Sequence, residues 1–218
     1  MRIALAVILS ALAALVAGHA QAPASPLRAT VTASGIFVVR PDPRECPSPL
    51  CGGYWVSLAN HARTRCSDGL LRPRCYVSSA VDADKRQPVS IQAGALAKGV
   101  LEVQQSDDWG QLGVLTVGSS WAPVGQASAT GTFFRLRDTG IRCVRAACLS
   151  IRARVLNSAA KPTLVSSLDL GPARSGTARR HAEAALASSD GLLAAGSILA
   201  AAAGGRVLHA SQVYLKNV

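Results

Sequence analysis

Apolar and polar positions alternate along most of this chain with a period of two, the pattern of strands buried on one face. Tyr54, Val56 and Leu58 share one side of a stretch near 53–60, and Ile151, Ala153 and Val155 share one side of 149–156. Further strands are expected near 35–40, 75–80, 98–104 and 113–121, and again near 131–136, 164–168, 195–201 and 206–215. Asp108-Trp109-Gly110 and Gly204-Gly205 supply turns within the last two strand pairs. One segment changes period. Ala178, His181, Ala182, Ala185 and Leu186 recur at helical spacing, and Asp190-Gly191 ends the run. A shorter helix is expected around 90–97.

The same order of elements is read twice. Phe37 aligns with Phe133, Asp42 with Asp138, Cys46 with Cys143, Cys51 with Cys148, Asn60 with Asn157 and Trp121 with Tyr214. Two long copies point to two related domains, because a solenoid needs several short repeats. The expected fold is mainly β: two tandem β-β-β-α-β-β repeats, each a small OB-like barrel by analogy of element order. A β-sandwich, or one barrel shared by both copies, would also accommodate the pattern. The first repeat spans 31–122, a linker 123–130 and the second repeat 131–218.

The N-terminus adds a destination. Arg2 precedes an apolar run from Ile3 to Val16, and Gly18-His19-Ala20 offers small residues for cleavage. Residues 1–20 are therefore expected to be a signal peptide, with 21–30 an Ala- and Pro-rich flexible lead-in. The run falls short of the ~20 residues of a membrane helix, and no later stretch reaches that length. A secreted or periplasmic protein is expected, with no transmembrane segment after cleavage.

Six cysteines lie downstream of that segment. Six allow fifteen pairings. The second copy holds only Cys143 and Cys148, so their simplest partner is each other. By correspondence Cys46 pairs with Cys51, which leaves Cys66 and Cys75 to close a hairpin through Asp68-Gly69. A zinc site is the competing use, but an oxidising compartment favours disulfides and the second copy keeps only two ligands. No metal or cofactor is expected.

Arg40-Pro41-Asp42, Cys46, Cys51-Gly52-Gly53-Tyr54 and Cys75-Tyr76-Val77 together resemble a family of secreted bacterial Cys-rich domains of unknown function. The resemblance covers most of the first copy. It implies no activity, and the second copy lacks the Gly-Gly-Tyr and the later Cys pair.

Charge divides the halves. The net charge is +11. Residues 21–123 carry ten Lys and Arg against eight Asp and Glu, whereas residues 124–218 carry twelve against four. Arg135, Arg137, Arg152 and Arg154 occupy alternate positions on two neighbouring strands, opposite in parity to the apolar set. They are expected on one outer face, as a candidate site for an anionic glycan or another cell-surface polyanion. Arg63, Arg65, Arg72 and Arg74 bracket the Cys66–Cys75 hairpin. No histidine belongs to a metal or catalytic signature, and neither a nucleophile elbow nor a phosphate loop occurs. Asp42 and Asp138 read as turn-closing carboxylates.

The leading expectation is a non-enzymatic exported binding or structural module whose partner the sequence does not name, a polyanion being one candidate. An inhibitor-like or adhesion module using the Cys66–Cys75 hairpin comes second. A hydrolase in an inter-repeat cleft, using Asp42 and His61, comes third.

Overall fold

A computed structural model describes residues 30–125, 128–173, 175–201 and 204–217. The expected signal peptide and the lead-in up to residue 29 lie outside the described residues. The first half contains β1 (Thr30–Pro41), β2 (Tyr54–Leu58), β3 (Thr64–Arg65), β4 (Leu71–Arg72), β5 (Cys75–Val77), β6 (Ser79–Asp82), β7 (Leu96–Ser106) and β8 (Gly110–Pro123). The second contains β9 (Thr132–Asp138), β10 (Ile151–Val155), β11 (Thr163–Val165), β12 (Ser167–Asp169), α1 (Gly176–Ala187), β13 (Leu192–Ala200) and β14 (Arg206–Lys216).

Twelve of the strands form one large, mostly antiparallel sheet in the order β11-β10-β9-β13-β14-β8-β7-β1-β2-β5, with β6 and β12 adding in parallel to β8 and β14, while β3 and β4 pair only with each other. Each half thus uses the same set of pairings. β1 lies between β2 and β7, and β9 lies between β10 and β13. The mainly β expectation is met, but the sheet is not closed into a barrel. The strand that would close each half is interrupted at one serine. Ser78 separates β5 from β6 and gives both its backbone N–H and its hydroxyl to the Gly113 carbonyl. Ser166 separates β11 from β12 and does the same to the Arg206 carbonyl. The ladder runs on between halves instead, through Tyr214, Leu215 and Lys216 of β14 opposite Pro123, Ala122 and Trp121 of β8.

Only the second expected helix forms. The side chain of Ser175 caps α1 by accepting the Ala178 N–H, and Ala182 is fully buried against the sheet. The first half has no helix around 90–97. Pro88 and the β-branched Val89 and Ile91 favour extended backbone there, and Val89 and Ile91 plug the core that α1 fills in the second half.

Two cores follow from the strand alternation. Phe37, Val39, Val56, Val77, Leu101 and Leu115 pack in the first half, and Phe134, Leu136, Ala153, Val165, Leu192 and Leu208 in the second. The pairing register corrects the expected alignment by one residue. Phe37 faces Leu58 as Phe134, not Phe133, faces Val155. Phe133 and Ile36 belong to a third cluster between the halves, with Ala59, Leu96, Trp121, Leu156, Leu193 and Tyr214.

Two asparagines complete this junction. Asn157 accepts the Ile36 N–H and donates to the carbonyls of Ile36 and Ala59. Asn60 accepts the Phe133 N–H and donates to the carbonyls of Phe133 and Leu156. Both have positive φ (54° at Asn157 and 65° at Asn60), a conformation that asparagine tolerates better than most residues. Each half supplies hydrogen bonds that the other half's first strand needs.

Candidate functional site

In β9 and β10 alternate residues turn away from the core, and register sets Arg137 opposite Arg152 and Arg135 opposite Arg154. The four guanidinium side chains line a concavity of about 250 Å³. Arg137, Arg152 and Arg154 are exposed and Arg135 is half-buried. The Nε of Arg135 is buried without a hydrogen-bond partner. None of the four makes an ion pair or side-chain hydrogen bond among the described residues. At one end the chain passes through Asp190 and Gly191. Gly191 has φ 75°, and a Cβ there would press on the Leu136 carbonyl and on the stems of Arg137 and Arg135. Asp190 is already engaged, 2.7 Å from Lys216 Nζ. That ammonium first, and then the charges of Arg135 and Arg137, hold its carboxyl below the usual range.

The corresponding face of β1 and β2 carries different residues. Val38 stands opposite Ser57 and Arg40 opposite Trp55. Trp55 is locked. Its Nε1–H donates to Asp42 Oδ1 at 3.1 Å, and the guanidinium groups of Arg44 and Arg74 lie 5.1 and 4.9 Å from its ring centre. Arg44 also reaches Asp42 Oδ2 at 2.8 Å and stands over Tyr76. The Asp42 carboxyl is held low by the Arg44 side chain, with help from the Arg44 N–H and Trp55, while its burial opposes them. Tyr76 donates to the Pro49 carbonyl, tying this knot to the Cys46–Cys51 loop.

The other candidates are dispersed. Arg72 pairs with Asp68, Arg65 donates to the Gly69 carbonyl and Arg74 stacks on Trp55, so the hairpin arginines do not form an open cationic patch. Leu70 and Leu71 at the tip are each about half exposed. Asp138 pairs with Arg142 and accepts the Gly140 N–H, as Asp42 accepts the Arg44 N–H. His61 contacts the Asn157 carbonyl, and His209 lies 3.1 Å from Asp169. Asp42 follows the end of β1 beside Tyr54, whereas His61 lies beyond the far end of β2. The pair needed for the hydrolase reading is not brought together.

All six cysteines are joined as expected: Cys46–Cys51, Cys66–Cys75 and Cys143–Cys148, with Cα separations of 5.3, 5.2 and 5.5 Å. No group of three or more His, Cys, Asp or Glu side chains suited to a metal ion occurs among the described residues. No helix among them is long and apolar enough to cross a membrane.

A larger cleft, about 730 Å³, opens between the halves. Neither Asp42 nor His61 lines it. Gln212 in its lining escapes sequence reasoning because no motif or charge run marks it, and nothing in the motif around Arg40 or the alignment of Tyr214 points to a cleft.

Neither the curated proteins nor the solved structures give a match to this chain. One family model does match, and it runs through both halves without a break. The chain belongs to the family described as a domain of unknown function, DUF6748, across residues 35–218.

Proposed function

We propose that the protein is an exported, disulfide-braced binding module, a tandem duplication of one β unit, that takes an anionic glycan on the outer face of β9 and β10. The observation that carries this reading is the four-arginine concavity without acid partners, in which Arg135 Nε is a buried donor lacking an acceptor. Buried donors are nearly always satisfied, so an unpaired one on a residue that lines a cationic hollow favours an anion there. Sulfate and phosphate esters suit the planar guanidinium fork, which binds them through two hydrogen bonds. A polyelectrolyte would also release counterions on binding. The matched pairings of the two halves support duplication, and three disulfides suit an oxidising compartment.

Heparin chromatography tests the site. Replacing Arg135, Arg137, Arg152 and Arg154 with Ser should lower the eluting salt concentration by more than replacing Arg63, Arg145, Arg180 and Arg206, which are exposed and scattered. Equal shifts would mean that net charge alone governs retention, and the assignment of the face would fall. The exposed Leu70 and Leu71 on the disulfide-clamped hairpin favour a second reading, contact with an apolar protein surface.

A further inference from the structure

The cleft between the halves is a second place where polar groups wait for partners. Val38 and Arg40 of β1, Phe133 of β9, and Gln212 and Tyr214 of β14 all line it. Its volume of about 730 Å³ falls in the range of small-molecule sites, roughly 300–1,000 Å³. Gln212 is only 1% exposed. Its amide nitrogen donates to the carbonyls of Val124 and Val213, at 2.8 and 2.9 Å. Its Oε1 is buried with no donor. Tyr214 is equally buried, and its hydroxyl makes no hydrogen bond among the described residues. Burial pushes the phenol up to about 12 against the opposing charge of Arg40, so the group is a neutral donor near pH 7. Arg40 is exposed at the rim and has no acid partner among the described residues. The ring of Phe133 lies 6.2 Å from that of Tyr214, and Val38 adds an apolar wall.

We propose that this cleft binds a small organic carboxylate with a flat apolar body. The carboxylate takes the guanidinium of Arg40 and the hydroxyl of Tyr214. The body lies against Val38 and Phe133. A small shift of the Gln212 side chain lets an O–H or N–H of the ligand supply the donor that its buried Oε1 lacks. A carboxylate fits better than a phosphate, because one guanidinium and a neutral phenol match a single negative charge. A doubly charged group would favour the four cations of β9 and β10. The site stands apart from the glycan face and does not depend on it.

The test uses 6-hydroxy-2-naphthoate, which carries a carboxylate, a flat ring system and one hydroxyl donor. Titration into the protein, followed by the probe's fluorescence anisotropy and by calorimetry, should give saturable one-to-one binding. Arg40→Gln should weaken it at least tenfold, and 6-methoxy-2-naphthoate should bind at least fivefold more weakly than the hydroxy compound. Ala93→Trp, on an exposed turn that lines the cleft, should block binding while leaving the circular dichroism spectrum unchanged. The variant with Ser at positions 135, 137, 152 and 154 should bind the probe like the natural chain. Absence of saturable binding would overturn the proposal. So would retention of binding by both Arg40→Gln and Ala93→Trp, or loss of binding only in the four-Ser variant, which would place the probe on the other face.

Discussion

The β1–β2 and β9–β10 pairs share backbone register and neighbours, yet their outer faces solve the problem of charge in opposite ways. On the first, Asp42 gathers Arg44 and Trp55, and Arg74 also stacks on the indole. Arg44 and Arg74 are thereby counted against an acid and an aromatic ring, and Arg40, at the edge toward the cleft, is the one cation left over among the described residues of that face. On the second, four arginines face one another across the strands, and Asp190, whose carboxyl feels Arg135 and Arg137, is engaged by Lys216. Like charges directly opposite on paired strands destabilise a sheet. The same framework therefore carries one face whose charges are mostly paired within it and one left open to an outside anion. The frame sets positions, and the few residues at the outward positions decide whether a face is closed or available.

Cross-links give the largest predicted difference between the halves. Cys66 and Cys75 are buried in the first core and close the longer loop. Replacing both with Ser should cost about 3 kcal/mol in denaturant unfolding. The same change at Cys143 and Cys148, in an exposed and shorter loop, should cost about 2 kcal/mol. A reversed order would mean that the second half depends on its loop more than its exposure suggests.

Making the closed face resemble the open one comes next. Trp55→Arg removes the hydrogen bond to Asp42 and sets a third cation between Arg44 and Arg74. It should cost about 2 kcal/mol, read as a lower urea midpoint. A neutral result would mean that the indole does not hold that face together.

The reverse operation should have a smaller effect of opposite sign. Arg137→Ser with Arg152→Ser removes one directly opposed pair and should raise stability by about 0.5 kcal/mol at low salt. The gain should shrink at physiological ionic strength, where the screening length is about 8 Å. A loss of stability would show that the arginine stems contribute more by packing than their charges cost.

The smallest effect concerns acid. Asp138 titrates in the folded chain at about 2, lowered from 3.8 chiefly by Arg142 and then by the Gly140 N–H. A lowered folded value means that its contribution is present above about pH 4 and is lost as pH falls through 2. Asp138→Asn should therefore flatten part of the decline in the urea midpoint between pH 4 and pH 2. The Arg142 side chain is 71% exposed, so screening keeps this change slight. An unchanged acid slope would sever Asp138 from the acid response.

Much of this architecture was legible because strand alternation and paired cysteines are local signals. Tyr54, Val56 and Leu58 announce β2, and the lone pair Cys143 and Cys148 points to all three bridges. Parity also placed the four arginines on one side of β9 and β10. The alignment of Phe37 with Phe133 misled by one residue, since both are aromatic and only the ladder shows that Phe133 serves the junction. A helix in the first half was expected from correspondence alone, against the local preference of Pro88, Val89 and Ile91. The partners of Asn60, Asn157 and Gln212 lie between 73 and 121 residues away for the asparagines and 88 for the Val124 carbonyl, beyond any local pattern.

The exchange of asparagines also imposes an order in time. Asn157 follows Ile36 by 121 residues. At the usual pace of synthesis, about 5–20 residues per second, β1 waits roughly 6–24 s for the side chain that satisfies Ile36 and Ala59. Once Trp121 has been made, Ile36, Leu96 and Trp121 still lack the Leu156, Leu193 and Tyr214 that later cover them. A nascent first half is thus a sticky intermediate, and its safety depends on how quickly the second half arrives.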